Sequence, residues 1–413
     1  MQVFTGYRCS ICGNEYPPDD YMYTCPEDEG ILDVLLDYDG LQGKSVDELI
    51  IPDEESLWRY LPLLPVSRLI GAGTPLRAAG WTPTFAPPQL KKELGLNQLW
   101  VKDESGNPSA SFKDRASALL VARAREIGAE VIVTASTGNA GAALAGMAAT
   151  VGHQSVIFAP KTAPPAKITQ LVIYGARVIL VDDNYDAAYK LSLEATEEFG
   201  WYNRNTGYNP FTAEGKKTAA YEIWEQVLLA EELDRPLCVF VSVGDGNIIS
   251  GIHKGFKDLF AIGQIKRMPR IFGCQSTGSA AIANAFQEGT EDIQPVQADT
   301  RADSISVNLP SDGLRALRAA TQTRGAYVTM EDSAILQAIA DLGRVGIFAE
   351  PAGAASYAGL KEALKTGLVT EDDPVLVLNT GSGLKDVQAA MQVAPEAPVI
   401  SPDLQEVKQL LKG

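Results

Sequence analysis

The stretch "SASFKDRAS", residues 109–117, sets Lys113 among small and hydroxyl-bearing neighbours. A lysine so placed is either a solvated charge or a nucleophilic amine held in a site. Its ordinary pKa is about 10.4, so amine chemistry near neutral pH requires burial and desolvation. Three further stretches carry groups suited to a ligand. In "VSVGDGNIISG", Gly244 and Gly246 free the backbone on either side of Asp245, and Asn247 and Ile248 open a helix. Backbone amides at the positive end of a helix make an anion cradle, most naturally for a phosphate, although a plain tight turn has the same composition. In "TASTGNAG", Ser136, Thr137 and Asn139 offer donors at another helix start, suited to a carboxylate or phenolate oxygen, or simply to capping. In "LNTGSGLKD", Thr380 and Ser382 stand between glycines directly after an apolar run.

Other chemistries fit the residues poorly. The glycines of "GDGNIISG" do not make a G-x-G-x-x-G, and no Lys-Ser/Thr follows, so neither a nicotinamide nor a nucleoside triphosphate site is supported. The only two histidines, His153 and His253, have no Asp/Ser or metal-ligand set beside them and read as structural. Cys9 and Cys12 form a Cys-x-x-Cys, and Cys25 follows. A zinc ribbon would place a fourth cysteine at position 28, where the chain has Asp28. The three cysteines are candidate metal ligands, with a ribbon that has lost its metal as the other reading.

The elements that must position these groups alternate. From about residue 89, "QLWVKDES", "EVIVTAS", "HQSVIFAP", "ARVILV", "LCVFVSVG", "PRIFGCQ" and "PVLVLNTGSG" read as strands, each followed by a helical pattern. The first of those helices places Ala116, Leu119, Leu120 and Ile127 at helical spacing and stops at Gly128. Such alternation predicts parallel sheets with helices on both faces, and ligands at the strand-to-helix turns. The four stretches suited to a ligand, around Lys113, Asn139, Gly244 and Thr380, are such turns.

The bulk numbers narrow the partners. The chain has 413 residues and a net charge of −17, which disfavours nucleic acid and anionic membranes. No run reaches the roughly 18 apolar residues of a membrane span. The opening "MQVFTGYRCS" lacks a basic segment followed by an apolar one, so no secretory signal is expected. Five cysteines without a disulfide-like pattern suit a reducing cytoplasm.

A phosphate cradle, an oxygen-facing amide, a hydroxyl and a lysine are together the inventory that pyridoxal 5'-phosphate requires. In their order and separations, "SFKDR", "STGNAG", "GDGN" and "TGSGLKD" resemble the fold type II (β-family) pyridoxal phosphate enzymes, and look most like the threonine synthases. The resemblance runs over nearly the whole chain. It implies an α/β fold of two doubly wound β-α domains, like the tryptophan synthase β-subunit, behind a short Cys-rich ribbon. Residues 1–35 would be the ribbon, and 36–114 an arm with the first part of the cofactor domain. Residues 115–204 would form a small mobile β-α domain, and 205–413 the main part of the cofactor domain. Lys113 would form the Schiff base, Asn139 would meet the ring hydroxyl, and residues 244–248 would surround the phosphate. Thr380 would bond the ring nitrogen. Ser136 and Thr137 would bind the α-carboxylate of a small amino-acid substrate, with Asn205 and Thr206 also on the substrate side. A homodimer is the habit of the family.

The resemblance implies conversion of O-phosphohomoserine and water to threonine and phosphate. One departure bears on the substrate. Many threonine synthases carry Asn-Ser, a spacer, Asn-Pro, an aromatic residue and then an arginine that grips the substrate phosphate. Here "NTGYNPFTAEGKKT" has two spacers, and Thr212 stands at the arginine position. Lys216, Lys217 or Lys102 could compensate, or could equally be solvated charges. A threonine or serine ammonia-lyase, or a synthase using O-phosphoserine to make cysteine or cysteate, is the alternative, and a non-catalytic scaffold is a third reading.

Overall fold

The structure, a computed structural model, describes residues 3–18 and 22–411. Strands β1 (Phe4–Cys9), β2 (Glu15–Tyr16) and β3 (Leu32–Leu36) form a small antiparallel sheet in the order β2-β1-β3. A six-stranded sheet follows from β4 (Thr84–Phe85), β5 (Leu99–Asp103), β10 (Cys238–Ser242), β11 (Arg270–Ser276), β12 (Ala326–Met330) and β13 (Val375–Asn379). Its order is β12-β11-β10-β13-β5-β4, parallel throughout except for the edge pair β4–β5. Strands β6 (Val131–Ala135), β7 (Gln154–Pro160), β8 (Arg177–Val181) and β9 (Tyr202–Asn203) make a four-stranded parallel sheet, ordered β8-β7-β6-β9.

The parallel strands are apolar on both faces because helices cover both. Along β10, Val239 and Val241 pack into one core while Cys238 and Phe240 pack into another. Leu376 and Leu378 of β13 divide from Val375 and Val377 in the same way. A period-2 side-chain alternation with both faces apolar requires this double cover. The strands expected from the sequence are found, each at its apolar run. After β13 come a single turn, Gly383–Lys385, a short helix, Val387–Met391, and a last helix, Leu404–Leu410.

Buried ion pairs fix the start of the helix Lys113–Glu126. Arg115 is fully buried and pairs with Glu104 at 2.7 Å and Glu222 at 2.5 Å, and Lys102 reaches Glu222 at 2.8 Å. Asp114 accepts bonds from the backbone amide and hydroxyl of Ser109, both at 2.5 Å. The residues on the C-terminal side of Lys113 are therefore locked, which fixes the base of its side chain.

Candidate active site

The ends of strands from both parallel sheets open into one cavity of about 960 Å³, lined by Lys113, Ser136, Thr137, Asn139, Thr206, Gly244, Asp245, Gly246, Asn247, Ile248 and Thr380, among others. That volume lies near the upper end of the ~300–1,000 Å³ of small-molecule sites. The expected residues come from stretches far apart in the sequence, and backbone bonds draw the key loops together. Phe112 N donates to Thr380 O at 2.9 Å, Ser382 N to Ala110 O at 3.0 Å, and Glu350 N to Gly381 O at 3.0 Å.

Lys113 forms no ion pair among the described residues. Burial lowers its pKa to about 8, and the Arg204 guanidinium pushes the same way, against the weaker pull of Asp245 and Glu350. Helices starting at Asn139 and Asn247 point their N-termini at the cavity, which favours bound anions. Gly246 has φ +92°, and a Cβ there would stand 2.5 Å from Asp312 O. A Cβ on Gly244 would meet Ile305 at 2.8 Å. Only glycine lets this loop lie so close to its neighbours and keep its amides free.

The side chain of Asn247 is not free for a ligand. Its Oδ1 accepts from Lys216 Nζ at 2.6 Å and its Nδ2 donates to Asp312 Oδ2 at 2.7 Å. Asp312 also holds Arg315 at 2.7 Å, and Arg315 Nη1 donates to Asp33 Oδ1, on β3, at 2.7 Å. A continuous polar chain thus runs from the small antiparallel sheet to the glycine loop. Asn247 can offer a ligand its backbone amide, while its side chain braces the loop.

One expected residue lies elsewhere. Asn205 is not on the cavity wall. Its Oδ1 accepts from Thr134 Oγ1 at 2.9 Å and from Ala135 N at 2.8 Å, and its Nδ2 donates to Ser192 Oγ at 2.8 Å. A buried carboxamide with those bonds ties β6 to the helix Tyr185–Phe199, so its expected substrate role is corrected to a packing one. Asp303 and Ser304 line the cavity. Both histidines lie outside its wall, and burial drives the pKa of His253 down to about 3.

Glu350 and Arg204, beyond the expected set, face the site, as does Lys216, one of the lysines weighed as a substitute for the missing arginine. Asn139 Nδ2 donates to Glu350 at 2.9 and 3.1 Å, across the mouth between the two parallel sheets. Burial raises the Glu350 pKa, which the Asn139 bond partly offsets. Arg204 and Lys216 are fully buried on the wall, and neither has a carboxylate partner among the described residues. In sequence, Glu350 before Pro351 reads as a helix opener that shapes the site wall, with no chemical role assigned to it. Arg204 had a signal in its place beside Asn205-Thr206.

Matches to known proteins agree with this geometry. Residues 76–381 match the family described as pyridoxal-phosphate dependent enzyme. The threonine synthase of Methanocaldococcus jannaschii is 37% identical over 411 residues, covering 98% of this chain and 99% of that protein. The threonine synthase of Methanosarcina acetivorans is 33% identical, with 98% of each covered. Among solved structures, the processed form of threonine deaminase isoform 2 from Solanum lycopersicum has a TM-score of 0.65 at 23% identity, over 90% of this chain and 89% of that one. Maize serine racemase gives 0.63 at 21%, over 80% and 91%. These structures share the fold. The chain belongs to the pyridoxal-phosphate dependent enzymes, as a member of their threonine synthase family.

Proposed function

We propose that this enzyme is a threonine synthase, converting O-phosphohomoserine and water to L-threonine and phosphate. The observation that carries the reading is Lys113, an amine with no ion pair among the described residues, in a cavity faced by two helix N-termini, in a chain whose full-length relatives are threonine synthases.

The residues present fit pyridoxal phosphate. Ser242 Oγ is buried on the cavity wall without a partner among the described residues, and the Gly244–Gly246 cradle would be filled by any Cβ. Lys113, Asn139, Thr380 and the backbone of 244–248 would hold it. When bound, the cofactor supplies an electron sink that stabilises negative charge developing on the substrate's carbon atoms. A hydroxyl such as Thr380 at the ring nitrogen, in place of a carboxylate, favours elimination and replacement over transamination.

The remaining work belongs to side chains of this protein. Lys113 Nζ, with its pKa near 8, can take a proton from substrate Cα and carry protons between Cα and Cβ, so one residue serves as anchor and base. Ser136 and Thr137, at the start of the helix Asn139–Thr150, orient the α-carboxylate. Thr206 contributes on the substrate side. Closure of the unit 115–204 over the substrate would exclude water until it is needed at Cβ. A homodimer in the cytoplasm goes with this reading, supported by the family resemblance and by five cysteines that form no disulfide.

The test is a panel of phosphohomoserine, phosphoserine, threonine and serine with product identification. Phosphate and threonine from the first substrate alone are expected. Ammonia and a 2-oxo acid from threonine, without phosphate release from phosphohomoserine, would make the enzyme an ammonia-lyase.

A further inference from the structure

Thr212 cannot replace the arginine that its position lacks. It is fully buried, and its hydroxyl donates to Asn209 O at 2.8 Å. Two of the three lysines considered as substitutes are already neutralised. Lys102 is held by Glu222 at 2.8 Å, and Lys217 by Glu214 at 2.5 Å and Asp258 at 2.9 Å. Lys216 is different. Its Nζ meets Asn247 Oδ1 and no carboxylate among the described residues, and it faces the cavity. Arg204 is more exceptional still. Its Nε touches Ser117 Oγ at 3.4 Å, its Nη1 donates to Thr206 Oγ1 at 2.9 Å, and its Nη2 is buried with no partner among the described residues.

We propose that Arg204 and Lys216, with the Thr206 hydroxyl, grip the phosphate of the substrate, taking over the task of the missing arginine. A guanidinium offers two parallel donors to a phosphate, and here one edge of it is unused on a cavity wall. Burying two cations beside Lys113 without counter-ions is strongly unfavourable unless ligands bring the negative charge. The strain registers on both groups. Burial lowers the Arg204 pKa to about 10, and burial together with Lys113 and Arg204 pulls Lys216 well below its usual value, against the pull of Asp312 and Asp245. The cofactor phosphate already has the loop 244–247 and its helix start. Arg204 reaches the cavity from the end of β9, on the other sheet, which leaves it for a second phosphate.

This assignment rests on the proposed reaction, and inorganic phosphate titrated into the holoenzyme tests it separately. With the cofactor in place, its own phosphate subsite is filled, so added phosphate reports the second one. Arg204→Met is expected to weaken phosphate binding at least tenfold and Lys216→Gln at least threefold, with the cofactor retained through gel filtration. Arg204→Lys should recover part of the loss, and KM for phosphohomoserine should rise in parallel. Variants that shed cofactor while their remaining holoenzyme binds phosphate normally would assign the cations to the cofactor and overturn the proposal. If wild-type enzyme releases no phosphate from phosphohomoserine, the reaction is wrong, but the titration still decides the anion site.

A second observation stands apart from the cavity. Ligand atoms of Cys9, Cys12, Cys25 and Asp28 all lie within 4.8 Å of one another. Cys12 and Cys25 sulfurs are 3.8 Å apart, and Cys9 Sγ is 3.2 Å from Asp28 Oδ1. Tetrahedral zinc with bonds of about 2.3 Å to sulfur has sulfur–sulfur edges of about 3.8 Å. Ile11 N donates to Cys9 Sγ at 3.2 Å and Gly30 N to Asp28 Oδ1 at 2.9 Å, orienting both as ligands would need. The geometry points to a structural zinc site of three thiolates and one carboxylate, with Asp28 as the fourth ligand. Metal analysis of the purified enzyme should find one zinc per chain, lost in Cys12→Ser and kept in Asp28→Cys. Metal-free protein with fully reduced thiols, even after incubation with zinc, would overturn it.

Discussion

Cofactor-stripped protein should recapture pyridoxal phosphate faster as pH rises, with a midpoint near 8, because only a neutral Lys113 attacks an aldehyde. Burial is the main reason for the low pKa, and Arg204 adds to it, while Asp245 and Glu350 oppose. Near pH 7.5 roughly a quarter of amines with a pKa of about 8 are neutral, against roughly 0.1% for an ordinary lysine at about 10.4. The setting of Lys113 therefore raises its reactive fraction about two-hundred-fold. Arg204→Met removes a repelling cation, so the midpoint should move up and capture near neutral pH should slow. Asp245→Asn removes an attracting anion and should move it down. Stopped-flow absorbance from about pH 6.5 to 10 reads all three. A wild-type midpoint near 10, or a downward shift in Arg204→Met, would refute the electrostatic account of the lysine.

Glu350→Gln should also lower the Lys113 midpoint, since it removes a second attracting anion, and the same stopped-flow series checks it. Gly246→Ala combines a left-handed backbone, costing about 1–2 kcal/mol, with a clash against Asp312 O. Its cofactor dissociation constant, measured by titration, should rise at least tenfold. Arg115→Met leaves Glu104 and Glu222 buried without their shared cation and should lose about 3–5 kcal/mol of stability in urea unfolding. Burial pushes the Glu222 pKa up, but Arg115 and Lys102 outweigh it and hold the carboxyl at about 2. Its contribution is therefore full above the unfolded pKa of about 4.3 and drains away as pH falls toward 2, so acid unfolding of Arg115→Met should begin at higher pH than in wild type.

Most of the fold was legible because each parallel strand is a short apolar run closed by a glycine-rich or hydroxyl-rich turn. β12, "AYVTM", was harder to see, since a tyrosine and a threonine interrupt its apolar character. β1 and β2 were obscured by the cysteines and prolines around them. At the site, the motif loops stood out through composition. Arg204 did not, and Lys216 could not be told from Lys217 and Lys102, because what singles both out is the lack of an ion-paired carboxylate among the described residues, which depends on contacts far apart in sequence. Lys217 is next to Lys216 and has two such partners, and no local pattern separates the pair. Asn205 misled for the same reason, since its neighbours Thr134, Ala135 and Ser192 are brought to it only by the packing of β6 and the helix Tyr185–Phe199.

The polar chain from Asp33 through Arg315, Asp312 and Asn247 to Lys216 has a consequence for how the molecule can be divided. Trimming away the first forty residues would take one of the two carboxylates from Arg315, which is almost wholly buried. Asp312 would then be the one carboxylate left to that guanidinium among the described residues, and its hold on Asn247 would weaken, loosening the glycine loop from a distance. The N-terminal ribbon is thus no detachable accessory: catalytic competence and an intact amino terminus are inherited together.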